Sequence, residues 1–474
     1  MIENEKQIES AKEIIKSFSA LEYHQDTKFY SADYRYEGST KSGWIIFRND
    51  KKYLTLPPGY VLLKTLSCGI CSTDIARHNL PFPLPQVIGH EVVALHKNSM
   101  VVVDINASHK HLGDVSKCEY CRNGLENHCP DRLTLGIDRL PGGFAPYILV
   151  PQNAIIPLPE NMDIKLASIV EPFAAALHAV VSENIQQGDS VAIIGPRRLG
   201  SLLILALKLW REKNKIDFNI TAIIRDKNLE EQNENLNKLC ELSGADEVID
   251  VNKARQSAYD IVFDTSGSVS GFMLALEIAR RIVHVKSTNG QVVGELKYLT
   301  EMVIDELSLS LISDSVDEAE CLTILVDSSI AQSDIDKIVA NYSGAEITIE
   351  NLAELNERSD RCFDLAIGGT FDFINTVVRN GNGNSLIKPK GKIFLMGRVN
   401  DFSTLQKALN RGVKINTSRC GDFSEAIKLF QENMPFTMRF LEFFISGVYS
   451  AENLEESFER AKTDKKLIKV LVKH

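Results

Sequence analysis

Residues 66–91 read LSCGICSTDIARHNLPFPLPQVIGHE and carry three side chains that can bind a metal of borderline softness. Cys71, His90 and Glu91 offer a thiolate, an imidazole and a carboxylate, and Asp74 follows the thiol closely. Zinc held by such ligands, with one coordination position left open, is a catalytic arrangement. Because a cysteine taken alone is more often a small buried residue, the interpretation depends on the motifs found elsewhere in the chain.

Length and composition bound the kind of protein. A chain of 474 residues predicts two or three domains, and 44% apolar with 24% charged residues is typical of a globular protein. The formal net charge of −10 argues against nucleic acid and against an anionic membrane surface as partner. Four of the nine cysteines form two close pairs, Cys68/Cys71 and Cys118/Cys121, which indicates metal chemistry in a reducing compartment. A charged N-terminus and short apolar runs lead us to expect a cytoplasmic protein.

The part of the chain before residue 190 predicts a helix and then short strands. Residues 1–22 place apolar side chains, among them Ile15 and Phe18, at helical spacing, which predicts an amphipathic docking helix. Residues 44–66 alternate in polarity and are rich in β-branched residues, which favours short strands of a small barrel. A helix carrying Glu171 is expected to begin near Ile169.

After residue 190 strands and helices alternate, which predicts a parallel doubly wound sheet. Residues 259–288 and 363–397 share a strand, helix, strand pattern, and each is followed by one more strand. One hypothesis is that the closing half of a dinucleotide fold is duplicated, with an insertion at roughly 312–411. The alternative is an unrelated α/β insertion.

The loop after the first of these strands reads GPRRLG and is an altered phosphate-binding fingerprint. Gly195 and Gly200 match the outer glycines of G-x-G-x-x-G, while Arg197 stands in the middle place, where it either crowds a cofactor or pairs with its phosphates. At the end of the second strand, Arg225 favours NADP and Asp226 favours NAD.

Taken in order, seven motifs resemble the medium-chain, zinc-dependent alcohol dehydrogenase family, in its sorbitol, threonine and glucose dehydrogenase branch. They are GICSTD (69–74), GHE (89–91), C-x2-C-x7-C within 118–130, GGFAPY (142–147), EPFAAALHAV (171–180), VAIIG…LG (191–200) and a terminal KVLV (469–472). The resemblance covers about 40–310 and 412–474. It implies an α/β fold with a GroES-like β-barrel catalytic domain and a Rossmann domain that contains an inserted α/β segment.

This resemblance also implies domain boundaries. The expected segments are an N-terminal helix with the catalytic domain (1–158), the Rossmann domain (159–311), the insertion (312–411) and the end of the Rossmann sheet with a return to the catalytic domain (412–474).

The family's catalytic zinc would be held here by Cys71, His90 and Glu171, with Glu91 as fourth ligand or close neighbour. Thr73 matches the hydroxyl that accepts the substrate proton. The glutamate at 171, where some members have cysteine, resembles the polyol, sugar and threonine branch. Asp74 would orient a metal ligand.

The chain departs from the family pattern at several places. Ala76 stands where many members have a proton-relaying histidine. A second zinc lobe normally has four cysteines, but only Cys118, Cys121 and Cys129 are present, and Val115 occupies the remaining place. The candidates for the missing ligand are Asp114, His109 and His111; otherwise the lobe is free of metal.

The resemblance predicts a zinc- and NAD(P)-dependent oxidoreductase acting on a secondary alcohol or ketone of polyol, sugar or hydroxy-amino-acid type. Homo-oligomers, dimers or tetramers, are expected on the same ground. The alternative from another class is a catalytically silent scaffold that has lost the dinucleotide. Arg197, Val115, Ala76 and the insertion favour this alternative.

Overall fold

The protein, described from a computed structural model, divides into two compact units. Unit 1 comprises Met1–Ala174 and Cys420–His474, and unit 2 comprises Ala175–Arg419. The structure describes residues 13–225, 230–286, 292, 294–311, 321–342, 345–355, 360–381, 383–396 and 403–474. Within these residues no helix is long and apolar enough to cross a membrane.

Unit 1 begins with a four-stranded antiparallel sheet in the order β1-β2-β3-β4. Its strands are β1 (Ile14–Tyr23), β2 (Phe29–Ser39), β3 (Gly43–Arg48) and β4 (Lys51–Leu56). The predicted helix over residues 1–22 is therefore wrong from Ile14 onwards, and residues 1–12 lie outside the described part. The helix prediction placed Ile15 on the buried face, but this residue is 68% exposed. Phe18 packs on two tyrosines of the neighbouring strand, because alternate strand residues share a face.

A second sheet of unit 1 forms the GroES-like barrel, in the order β12-β7-β6-β5-β25-β24, with β11 paired to β5. Its strands are β5 (Tyr60–Gly69), β6 (Glu91–His96), β7 (Ser99–Val103), β11 (Tyr147–Pro151), β12 (Ile155–Pro157), β24 (Ile445–Ser450) and β25 (Lys469–Lys473). A small third sheet holds β8 (Asn106–Ala107), β9 (Leu133–Leu135) and β10 (Arg139–Leu140). One apolar core, including Trp44, Leu63 and Val92, joins these sheets.

The helices of unit 1 are short before residue 170 and longer near the C-terminus. They are α1 (Ser72–Ile75), α2 (Glu119–Arg122), α3 (Ile164–Ala167), α4 (Val170–Val181), α12 (Phe423–Glu432), α13 (Met434–Phe444) and α14 (Leu454–Thr463). The boundary between the units falls within α4. The expected helix around Glu171 is thus confirmed.

Unit 2 is built on one eleven-stranded sheet with the order β15-β14-β13-β16-β17-β23-β18-β22-β21-β19-β20. Its strands are β13 (Ser190–Ile194), β14 (Asn219–Ile224), β15 (Glu247–Asp250), β16 (Tyr259–Asp264), β17 (Ala279–Val285), β18 (Ser308–Leu311), β19 (Cys321–Val326), β20 (Glu346–Asn351), β21 (Phe363–Gly368), β22 (Ile387–Leu395) and β23 (Lys414–Thr417). The helices of unit 2 that follow α4 are α5 (Arg198–Asn214), α6 (Glu230–Ser243), α7 (Val269–Ile278), α8 (Leu299–Ile304), α9 (Gln332–Val339), α10 (Phe371–Val378) and α11 (Thr404–Asn410). The first half is the Rossmann sheet that the sequence predicted.

The two halves of this sheet run in opposite directions. Strands within each half are parallel, whereas β18 and β23 meet antiparallel at Leu309 and Ile415. Strand β18 follows β17 in the chain but pairs with β22, and β23 follows β22 but pairs with β17. The halves have thus exchanged their closing strands, so the sheet is parallel only within each half.

Equivalent polar contacts recur in the two halves. Ser190 donates through its backbone and its hydroxyl to Asp260, at 2.9 and 2.8 Å. Thr323 donates to Asp364 in the same way, at 2.8 and 2.6 Å. Each aspartate also pairs with a cation on the following strand of its own half. These matching contacts favour duplication over an unrelated insertion.

Candidate metal centres and dinucleotide groove

Cys71 lies at the turn that joins β5 to α1. Its backbone N–H donates to Asp74 Oδ2 at 2.9 Å, which closes the first turn of the helix with a carboxylate three residues on. The thiol is half-buried. The short connection after Gly69 therefore fixes the direction of the Cys71 side chain.

Strand pairing brings His90 and Glu91 to the same place. Glu91 stands opposite Gly69 in the antiparallel β5–β6 ladder, and Gly89 turns the chain with φ of +97°, where a side chain would be strained. Candidate ligand atoms of Cys71, His90 and Glu91 lie within 4.8 Å of one another. The sequence stretch quoted at the outset thus folds into one cluster.

The Asp74 carboxylate faces the histidine of this cluster. Its Oδ1 lies 3.3 Å from His90 Nδ1, so Nε2 is the ring nitrogen left for a metal. Burial lowers the pKa of His90, but the nearby Asp74 carboxylate and Cys71 thiol outweigh it and raise the pKa well above its usual value. The environment therefore attracts a cation to this position.

Lys469 also belongs to this site, although no sequence motif had indicated a role for it there. Its Nζ donates to Glu91 Oε2 and to the Ile70 carbonyl, the latter at 3.1 Å. Both charged side chains are buried, and Glu91 Oε1 has no hydrogen-bond partner among the described residues. One oxygen of Glu91 is thus held by the lysine, and the other remains for a ligand bond. Only the pairing of β25 with β5 reveals this contact.

Two other predicted site residues lie on helices of unit 1. Thr73 is half-buried in α1 and Glu171 is half-buried in the first turn of α4. The Glu171 carboxylate is not a member of the three-residue cluster found among the described residues. The roles of Thr73 and Glu171 remain predictions.

A second cluster in unit 1 gathers His109, Cys118, Cys121 and Cys129, again with ligand atoms within 4.8 Å of one another. His109 Nδ1 lies 3.3 Å from Cys129 Sγ. Of the three candidates for the missing ligand, the structure places His109 in this position. One imidazole and three cysteines form a tetrahedral zinc-binding set.

The other two candidates are engaged elsewhere. His111 Nδ1 lies 2.9 Å from Ser108 Oγ, and Asp114 pairs with Lys117 at 3.0 Å. The three thiols are buried, and burial with the neighbouring thiols raises the pKa of Cys129 to about 12. Such thiols ionise when a cation lies among them, so the donor set fits zinc.

The glycine-rich loop of unit 2 follows β13 and leads into α5. Gly195 has φ of +79°, and a Cβ there would lie 2.7 Å from the Ser266 backbone. A Cβ on Gly200 would lie 2.5 Å from the Gly195 carbonyl oxygen, so the helix approaches the strand closely. These are the requirements of the outer glycines of the fingerprint, and they fit a dinucleotide.

Arg197 and Arg225 stand beside this groove. Arg197 has φ of −98°, a conformation that does not require glycine, and it directly precedes the N-terminus of α5. Arg225 lies at the end of β14, is exposed, and donates to Ser270 Oγ at 2.6 Å. Asp226 lies outside the described residues. Arg197 thus lies at the N-terminus of α5, and Arg225 contacts the first turn of α7; both positions suit phosphate groups.

Comparison with known proteins agrees with this architecture. Residues 57–160 match the alcohol dehydrogenase GroES-like domain. The chain is 23% identical over 236 residues to the sorbitol dehydrogenase of Bacillus subtilis (47% of this chain, 65% of the relative). It is 27% identical over 234 residues to an L-threonine 3-dehydrogenase of Pectobacterium carotovorum (46% and 62%). The matched segments thus span less than two thirds of these relatives.

A solved structure shows the same fold. A putative zinc-binding dehydrogenase from Sinorhizobium meliloti, bound to NADP, superposes with a TM-score of 0.52 at 16% identity. The alignment covers 97% of this chain and 100% of that one. The domain match, the relatives and the fold together make the chain similar to the medium-chain, zinc-type alcohol dehydrogenases.

Proposed function

We propose that the protein is a zinc-dependent oxidoreductase that moves hydride between a secondary alcohol and NAD(P). The observation that carries this proposal is the cluster of Cys71, His90 and Glu91, with Asp74 fixing the imidazole. A thiolate, an oriented histidine and a carboxylate in a buried setting suit a catalytic zinc better than a closed structural site.

The residues in and around the cluster have separate tasks in this mechanism. When bound, zinc polarises the substrate oxygen and nicotinamide accepts the hydride. Cys71 and His90 would hold the metal, and Asp74 would keep His90 in the tautomer that presents Nε2. The hydroxyl of Thr73 receives the alcohol proton. Lys469 balances the charge of the buried Glu91 carboxylate.

The cofactor is proposed to bind at the carboxyl ends of the first-half strands of unit 2. Support comes from the close approach at Gly195 and Gly200 and from the arginines beside it. Arg225 favours a 2′-phosphate and hence NADP(H), and the relative from Sinorhizobium meliloti is bound to NADP.

The substrate class is proposed to be a polyol, a sugar or a hydroxy-amino acid. The relatives named sorbitol dehydrogenase and L-threonine 3-dehydrogenase support it. The second cluster, with His109 and three cysteines, is proposed to hold a structural zinc, because its three thiols are buried and its four donors complete a tetrahedral set.

Cys71→Ser tests the catalytic assignment. The expected result is loss of alcohol-dependent nicotinamide reduction and loss of about one equivalent of zinc by elemental analysis. Cys68→Ala is a matched control, since Cys68 lies three residues earlier, is buried, and is no member of either cluster. Full turnover by Cys71→Ser would contradict the proposal.

A silent scaffold is the second candidate, and Arg197 in the middle-glycine place favours it. Calorimetric titration of zinc-loaded protein with NAD+ and with NADP+ separates the two. Micromolar binding of either, about −8 kcal/mol, supports the oxidoreductase. Folded protein that binds neither supports the scaffold.

A further inference from the structure

Four polar side chains form a buried chain of contacts in unit 2, at the carboxyl ends of β17 and β23. His284 Nδ1 lies 2.5 Å from Glu183 Oε1, and His284 Nε2 lies 2.9 Å from Ser418 Oγ. Lys286 Nζ donates to Ser418 Oγ at 3.0 Å and to the Ser418 carbonyl at 2.9 Å. All four residues are buried. We refer to Glu183, His284, Ser418 and Lys286 as the buried relay.

The hydrogen bonds of the buried relay all run in one direction, from Lys286 towards Glu183. Because an ammonium can only donate, Ser418 Oγ accepts from Lys286 and donates its own hydrogen to His284 Nε2. His284 Nδ1 then donates to Glu183, which also accepts from Asn416 Nδ2 at 3.0 Å. Burial lowers the pKa of His284 against the opposing effect of Glu183, which agrees with a neutral imidazole.

The buried relay has a negative charge at one end and a positive charge at the other. The carboxylate of Glu183 lies on one side of the imidazole, and the ammonium of Lys286 lies on the other, beyond the serine hydroxyl. The ammonium is held by two oxygens of one residue, directly after the end of β23. The positive end of the buried relay is therefore fixed at the carboxyl edge of the sheet.

This edge is where the nicotinamide half of a dinucleotide lies in a doubly wound fold. One mononucleotide-binding half consists of β13, β14 and β15, and the other of β16, β17 and β23. The phosphate loop at Gly195 marks the boundary between them. Lys286 and Ser418 follow the last two strands of the second half, so they belong to its nicotinamide end.

We propose that Lys286 is a fixed positive charge at the nicotinamide end of the groove and makes the protein prefer the reduced cofactor over the oxidised one. The oxidised ring is cationic and the reduced ring is neutral, so a nearby ammonium repels only the former. Glu183, His284 and Ser418 are positioning residues that hold the ammonium in place. This inference rests on the proposed function, because it needs a dinucleotide in unit 2.

The test compares binding of the oxidised and reduced cofactor to zinc-loaded protein by calorimetry. The pair used, NAD+/NADH or NADP+/NADPH, is the one that the unaltered protein binds. Lys286→Gln keeps a donor for Ser418 but removes the charge, and it should lower the ratio Kd(oxidised)/Kd(reduced) by about three- to tenfold. Lys286→Arg keeps the charge and should preserve the ratio.

Lys407→Met is the matched control, because it removes one positive charge from an exposed position in α11 of the same unit. Its ratio should be unchanged. If Lys286→Gln does not fold, Lys286→Met provides the second uncharged variant, and circular dichroism verifies folding of each protein.

Three other results would overturn either this inference or the cofactor assignment. An unchanged ratio in folded Lys286→Gln, with both forms still bound, overturns this inference alone. Equal tightening of both forms would mean that the lysine only obstructs the groove, which also overturns it. Failure of the unaltered protein to bind either pair overturns the cofactor assignment in the proposed function.

Discussion

Replacing Lys469 with methionine should destabilise unit 1 through an unpaired buried carboxylate. Lys469 and Glu91 are 3% and 1% exposed, and the lysine also donates to the Ile70 carbonyl. Methionine has a similar length and fills the same space, so the change removes the charge and its two hydrogen bonds while little volume is lost.

The expected magnitude follows from what remains after the substitution. Glu91 would keep a full negative charge away from water, with Oε1 already lacking a hydrogen-bond partner among the described residues. Breaking one side of a buried ion pair costs about 3–5 kcal/mol. Zinc beside Glu91 supplies a replacement positive charge, so the loss should be smaller in zinc-loaded than in metal-free protein.

Denaturant unfolding followed by fluorescence, with and without zinc, measures these losses. The pair Lys469→Met with Glu91→Gln should recover part of the stability, and the double-mutant cycle should give a coupling of at least about 2 kcal/mol. A loss below about 1 kcal/mol for Lys469→Met in metal-free protein would refute the reasoning, because it would mean that water reaches the carboxylate.

Three further outcomes test other parts of the structure. Gly195→Ala and Gly188→Ala both force alanine into a left-handed conformation, with φ of +79° and +83°, but only the former places a Cβ 2.7 Å from other backbone. We therefore expect the free energy of unfolding to fall by about 1–2 kcal/mol in Gly188→Ala and by clearly more in Gly195→Ala. Burial raises the pKa of Asp264 to about 6, so the folded protein binds this proton more tightly than the unfolded chain. This carboxyl should reduce stability as pH rises from about 4 to about 6, and Asp264→Asn should remove that slope in unfolding curves. Finally, His109→Ala should lower the zinc content by about one equivalent in elemental analysis, whereas His111→Ala should not.

Local sequence patterns were sufficient to predict those parts of the structure that depend on residues close together in the chain. The alternation after residue 190 predicted the strands and helices of the Rossmann half, because a buried parallel strand needs a short apolar run. The GHE and GICSTD motifs predicted the cluster of Cys71, His90 and Glu91, since each motif fixes its own turn. The N-terminal prediction failed because helical and strand spacing overlap in a short apolar segment, and pairing with β2 decided the outcome.

The sequence by itself determined the identity of the donors, the positions of the glycines and the repeat of the strand, helix, strand pattern. Only the tertiary structure decided that His109 completes the second cluster, that Lys469 neutralises Glu91, and that β18 and β23 exchange places. These three results join residues distant in the chain, at positions 109 and 129, 91 and 469, and 309 and 415. The physical reason is that sheet register and loop closure decide which of several chemically similar residues come into contact. The spacing of residues along the sequence does not indicate which of them will do so.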